Sequence, residues 1–177
     1  DNIQKYLENI YNTVYAKDIL SHVDIRNYEV LAKTSKFMFD NISNNTSVKK
    51  ITDALNSAGN KISQPTIDTY TETLVNTFMF YKANRYDVKG KTYFKFPNKY
   101  YYTDTGLRNI RLNYRQYDPG HLMENIIYNE LLRRGYSVDV GVVTDRTEGR
   151  NLQKEIDFVV NDADRRIYIQ SAFRMDT

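Results

Sequence analysis

The sequence predicts an α+β chain in three parts, and three observations carry that reading. Apolar residues recur at helical spacing near the start. Two short helical patterns separated by a glycine then precede a hairpin pattern. A broadly apolar helix followed by three strand-like runs closes the chain. The boundaries fall at 1–46, 47–115 and 116–177. With 177 residues, 41% of them hydrophobic, the chain is one ordinary domain or two small ones, able to fill a core without staples. The absence of cysteine excludes disulfide frameworks, thiolate metal sites and cysteine nucleophiles. Two histidines, His22 and His121, leave little for zinc chemistry. No apolar run reaches the ~18–20 residues of a membrane helix and no signal-type N-terminus is present, so no membrane association and a cytoplasmic location are expected. Starting at Asp1 and not at methionine, the chain reads as a segment of a longer polypeptide.

In the first part, Ile3, Tyr6, Leu7, Ile10, Tyr11 and Val14 keep one helical face. A second helix is expected over 27–39, with Val30, Leu31 and Phe37 or Met38 facing inward, and the polar run Asp40–Thr46 ends it. Tyr6, Tyr11 and Tyr15 read as core or interface aromatics.

In the second part, Ser47 is a fair N-cap for a helix carrying Val48, Ile51, Ala54 and Leu55, which stops at Gly59. Ser63 caps the next helix, where Pro65 in the first turn removes no needed donor. That helix turns Ile67, Tyr70, Leu74 and Val75 inward and leaves Gln64, Thr66, Asp68, Thr69 and Thr71 outside. Short polar side chains of this kind suit base edges or phosphates. Phe78–Tyr81 and Thr92–Phe96 then read as strands flanking a basic tip. Two short helices with a tight turn and a basic-tipped hairpin describe a winged helix-turn-helix, which enters a groove with the helix and touches phosphates with the wing. Such modules also dock proteins, and Asp68 and Glu72 on the helix would repel phosphate. Gly90-Lys91-Thr92 imitates the end of a phosphate loop, but Arg85 stands where that motif needs glycine.

Charge is concentrated in the same region. Residues 82–115 carry Lys82, Arg85, Lys89, Lys91, Lys95, Lys99, Arg108, Arg111 and Arg115 against Asp87 and Asp104. The whole chain is only +3, so both flanks are net acidic. The nucleic-acid-binding candidates are therefore Gln64, Thr66, Thr69, Arg85, Lys89, Lys91 and Lys95, with Lys99 in the same basic run.

In the third part a helix starts at Pro119 or Gly120, carries Leu122, Ile126, Ile127, Tyr128, Leu131 and Leu132, and ends at Gly135. Tyr136–Gly141 and Glu155–Val160 follow as strands. Asp162–Arg165 turns the chain into a third strand ending at Gln170. His121, three residues before Glu124, is either its partner in a metal pair or a first-turn surface histidine.

A helix Glu124, a strand Asp157 and a strand-ending Gln170, in that order, resemble the core of the PD-(D/E)XK, or restriction-endonuclease-like, nuclease superfamily. The resemblance implies a truncated α/β nuclease-like domain in which Glu124, Asp157 and Gln170 stand at the catalytic positions. There, carboxylates hold a divalent metal such as Mg²⁺ while a lysine orients or polarises the attacking water. The lysine position is Ala172 in this sequence, which implies a vestigial site.

More of the chain carries a second resemblance. Ile10–Val14, Lys17–Ile19, Arg85–Lys91, Tyr101–Asn109, Gly120–Asn125 and Glu155–Val159 are similar to a C-terminal region of unknown function that follows an AAA-type ATPase module in bacterial and archaeal proteins. That resemblance implies ATP binding in an N-terminal module absent from this chain, and no cofactor here unless Mg²⁺ occupies an active nuclease-like site. The implied partners are the ATPase module of the same polypeptide, duplex DNA, or a partner protein. Three functions follow as expectations: a non-catalytic binding region, a metal-dependent DNA nuclease using Glu124, Asp157 and Gln170, or a protein-docking module using its tyrosine-rich surfaces.

Overall fold

The computed structural model describes residues 2–14, 17, 19, 28–112, 118–147 and 150–173, and among these the chain is mixed α+β, with six helices and one five-stranded mixed sheet. Tyr15, His22, Asn27 and Arg115 lie outside the described residues. The chain forms two compact units. One comprises Asp1–Ile42, Thr46–Tyr81 and Tyr102–Tyr117, and the other Ser43–Asn45, Lys82–Tyr101 and Asp118–Thr177.

The first unit is helical: α1 (Asn2–Val14), α2 (Tyr28–Asp40), α3 (Val48–Ser57), α4 (Gln64–Asn76) and α5 (Thr105–Arg111). Its starts follow from capping chemistry. The Ser47 hydroxyl accepts the amide of Lys50 at 3.1 Å, and Ser63 accepts that of Thr66 at 3.4 Å. Asp104 does the same for the amides of Gly106 and Leu107, which starts the short α5 that apolar periodicity alone does not announce. Leu31, Met38, Phe39, Ile51, Ile67, Leu74 and Phe80 are buried together, and Phe39 meets Phe80 at 4.7 Å between ring centres. Each such side chain contributes ~1.5–3 kcal/mol on leaving water.

Three sequence expectations change in this unit. Ile3 and Tyr6 at the start of the α1 stripe are 68% and 64% exposed, while Tyr11 further along is buried under the Arg111 guanidinium, 4.6 Å from its ring. Thr71 is fully buried and not on the outer face of α4, because its position falls on the side that carries Ile67 and Leu74. Phe78 is not in a strand. It turns the chain out of α4 at a left-handed φ of 57°, with its ring exposed.

The second unit is built on a sheet of order β2-β1-β3-β4-β5, formed by β1 (Phe80–Asp87), β2 (Thr92–Tyr102), β3 (Ser137–Thr147), β4 (Arg150–Asp162) and β5 (Arg165–Ile169). The hairpin expected after α4 is present, and its first strand also pairs in parallel with β3, Arg85 opposite Val140. The hairpin is thus joined to the strands of the third sequence part. A parallel pairing over more than fifty residues leaves no local pattern, which is why only the hairpin itself is predictable. The β3–β4 and β4–β5 pairs are antiparallel.

α6 (Pro119–Arg133) lies against β3 and β4. Asp118 caps it by accepting the His121 amide at 3.1 Å, and Gly135, at φ +84°, releases the chain from its end. Tyr128 of α6 stacks on Tyr101 of β2 at 4.1 Å and lies 6.0 Å from Phe158 of β4. Opposite α6 the β3–β4 register slips: Asp139 faces Val159, but Gly141 faces Ile156, so β4 carries one extra residue there. The bulge needs Gly141, since a Cβ at that position would lie 2.7 Å from Val159 Cγ2 and 2.9 Å from Ile156 Cβ.

Candidate functional site

The bulge supplies the site's geometry. In a regular strand Asp157 and Phe158 point to opposite faces. The extra residue lets Phe158 pack on Tyr128 and Tyr101 while Asp157 lines the cleft that Glu124 of α6 also lines. Gln170 and Ser171, just past β5, close the same cleft, which has a volume of about 240 Å³. Glu124, Asp157 and Gln170 are thus brought together. Asp118 and His121 stand at its rim, with His121 Nδ1 2.6 Å from Asp118 Oδ2. That hydrogen bond, with the amide of His121, holds the Asp118 carboxyl below its usual range.

Both buried acids are occupied by protein donors. Lys99 of β2 donates to Glu124 Oε1 at 3.0 Å and reaches Glu155 at 2.6 Å, with its side chain only 4% exposed. The Tyr101 hydroxyl donates to the same Glu124 oxygen at 2.6 Å. Burial pushes the Glu124 carboxyl up, and Lys99 and Tyr101 pull it back only in part. The Tyr101 hydroxyl is pushed well up by its burial and then by the adjacent Glu124. Asp157 Oδ2 accepts both the amide and the hydroxyl of Ser171, at 2.7 and 2.6 Å.

A divalent cation asks for several hard oxygen ligands converging on one point. Among the described residues, no group of three or more His, Asp or Glu side chains is placed to hold one. Glu124 is already neutralised by an ammonium, and Ala172 at the expected lysine position is exposed and offers no polar atom. The donor set present therefore does not fit a nuclease metal. His121 pairs with Asp118 and not with Glu124.

Tyr101, Glu155 and Ser171 are neighbours of the cleft's acids that the sequence does not single out, and Lys99 is one that it places elsewhere. Lys99 in particular sits in the basic run, and nothing local distinguishes it from the exposed lysines. The structure corrects its assignment from partner contact to internal counter-ion. Arg85 is not on the surface either: it is 8% exposed, with its guanidinium 5.5 Å from the Phe94 ring. Arg108 is 2% exposed over Tyr102. Lys89, Lys91 and Lys95 are exposed on the β1–β2 hairpin. On α4, Gln64 and Thr69 are exposed, but the Thr69 hydroxyl donates to the Pro65 carbonyl and that of Thr66 is bound to Ser63.

The chain belongs to the family described as domain of unknown function DUF8612, whose pattern matches residues 1–118. It is 36% identical over 169 residues to an uncharacterised protein of Haemophilus influenzae, a match covering 96% of this chain and 40% of that protein. It is 28% identical over 137 residues to an uncharacterised protein of Methanocaldococcus jannaschii, covering 77% of this chain and 30% of that one. The chain therefore spans well under half the length of either relative. No solved structure matches it. No helix among the described residues is long and apolar enough to cross a membrane.

Proposed function

We propose that this chain is a non-catalytic nucleic-acid-binding region of a longer, AAA-type ATPase-containing protein, built on a winged-helix-like and a degenerate nuclease-like arrangement. The observation that carries the reading is the sorting of charge. Lys89, Lys91 and Lys95 stay exposed on one hairpin, whereas the buried acids of the nuclease-like cleft are bound internally by Lys99, Tyr101 and Ser171. Exposed cations gathered on one element gain affinity for phosphates by releasing counterions. A neutralised, partly desolvated Glu124 is poorly disposed to take a cation in addition. The greater length of both relatives is in keeping with a further module, and ATP belongs to that module in this reading.

A metal-dependent nuclease is the second reading, favoured by the single cleft that Glu124, Asp157 and Gln170 share. One experiment separates the two: labelled DNA is titrated at two salt concentrations by fluorescence anisotropy, then incubated at length with Mg²⁺ or Mn²⁺. Salt-sensitive binding that is lost in Lys89→Glu/Lys91→Glu, with DNA left intact, is the expected result. Metal-dependent cleavage abolished by Asp157→Ala would establish the nuclease instead. Absence of binding even at low salt would move the chain to protein docking.

A further inference from the structure

One face of the sheet carries an aromatic and cationic lattice that the cleft does not use. Tyr86 of β1 and Tyr93 of β2 meet at 5.1 Å between ring centres, tilted by 57°. Arg166 of β5 reaches across to Tyr86, its guanidinium 5.1 Å from the ring and 3.3 Å from the hydroxyl. It also donates to Asn161 at 3.2 Å. The Tyr93 hydroxyl donates to Asp139 Oδ2 at 2.9 Å, and Asn161 donates to the same oxygen at 3.4 Å. Asp139 itself is buried beneath the lattice, held by these two donors, and its burial pushes the carboxyl up.

Tyr93 is the unusual member. Its hydroxyl is anchored and its edge rests on Tyr86, yet the residue is 60% exposed. An exposed ring normally turns freely, whereas this one is fixed by its tip and presents a surface to solvent. It lies two residues after the turn that carries the exposed Lys89 and Lys91. Tyr168 on β5 is a second exposed ring, 49% accessible, two residues after Arg166 on the same strand. Of the acidic residues in the turns, Asp87 is engaged by the amides of Lys89 and Gly90, while Asp162 and Asp164 lie in the β4–β5 turn just before Arg166 and set that end of the surface's charge.

We infer that this sheet face is a seat for single-stranded nucleic acid, with an unpaired base stacked on Tyr93 and the flanking phosphates held by Lys89, Lys91 and Arg166. The inference rests on the nucleic-acid reading above and narrows it to strands with accessible bases. Duplex DNA hides its base faces in the stack and offers Tyr93 nothing to cover. A single strand offers both π-faces and phosphates at the spacing of neighbouring side chains. A ring already held in place loses little freedom on binding, so more of the stacking energy is realised as affinity.

The chain has no tryptophan, so Tyr93→Trp installs a lone fluorescent reporter at the platform. The full chain is titrated with oligothymidine and, in parallel, with a hairpin duplex of equal length. Quenching by the single strand and not by the duplex is expected. In anisotropy, Tyr93→Ala should weaken single-strand binding roughly ten- to hundredfold, while Tyr93→Phe, which keeps the ring but loses its bond to Asp139, should weaken it clearly less. Circular dichroism of each variant separates lost binding from lost fold, and the Trp and Phe variants carry the test should the Ala variant unfold. Equal binding of both forms, unaffected at Tyr93, overturns this inference and leaves the broader reading intact. Binding of neither form at low salt overturns both.

Discussion

Lys99 is the side chain whose removal the second unit should feel most. It is nearly sealed from solvent between Glu124 and Glu155, and such a pair contributes little compared with apolar packing, but losing one partner strands the other. Lys99→Met keeps the volume and should lower stability by about 3 kcal/mol near neutral pH in denaturant unfolding. The pH dependence identifies the cause. The Glu124 carboxyl is already above its ordinary 4.5, because burial outweighs its donors, and without Lys99 it must rise further. Between the ordinary and the raised value the folded state binds more protons than the unfolded one, so stability falls as pH rises through that window. The deficit of the variant should therefore shrink as pH is lowered below about 4, where Glu124 is protonated in both states. On the alkaline side Lys99 is raised above 10.5, so in the parent its contribution persists below that pH and is lost only as pH climbs through the higher folded value. A deficit equal at all pH values would mean that Lys99 acts by packing alone.

At the level of elements, the β1–β2 turn holds a conflict between stability and charge. Asp87 fixes the turn by accepting the amides of Lys89 and Gly90, and its carbonyl accepts that of Lys91 at 2.8 Å. Closing it puts Lys91 at φ 54°, a left-handed conformation costing an ordinary residue about 1 kcal/mol and glycine almost nothing. Lys91→Gly should accordingly raise stability by up to about 1 kcal/mol while weakening oligonucleotide binding, both measured on the same preparation. A gain in stability with unchanged binding would remove Lys91 from the interface. This turn also marks where elements can be read from sequence. The caps at Ser47 and Ser63, Pro65 in the first turn of α4, and the glycine that ends α6 are local chemistry and stand where the sequence puts them. The parallel β1–β3 pairing and the β4 bulge are decided by partners far along the chain, so no local pattern announces them. Phe78 follows a related rule: an apolar run reads as strand until the helix exit claims its first two residues, here Phe78 and Met79.

Across the whole molecule, the shared cleft of Glu124, Asp157 and Gln170 was legible because helix-strand-strand order is preserved in sequence, but the counter-ion that neutralises it was not. Charge counting has no access to burial. The basic stretch carries nine cations, of which Arg85, Lys99 and Arg108 are buried and Arg115 lies outside the described residues. The difference is measurable as the salt dependence of binding. Each phosphate contact to a single strand contributes about 0.7 to the slope of log affinity against log salt. Engagement of the whole stretch would give a slope of about −6, whereas Lys89, Lys91, Lys95 and Arg166 acting alone give about −3. The shallower slope is expected, and Lys89→Ala should reduce it by roughly one contact while Arg85→Met leaves it unchanged. A slope near −6 would require the inward cations to turn outward on binding, and with it a rearrangement of the Lys99–Glu124 pair that the pH dependence of Lys99→Met would report independently.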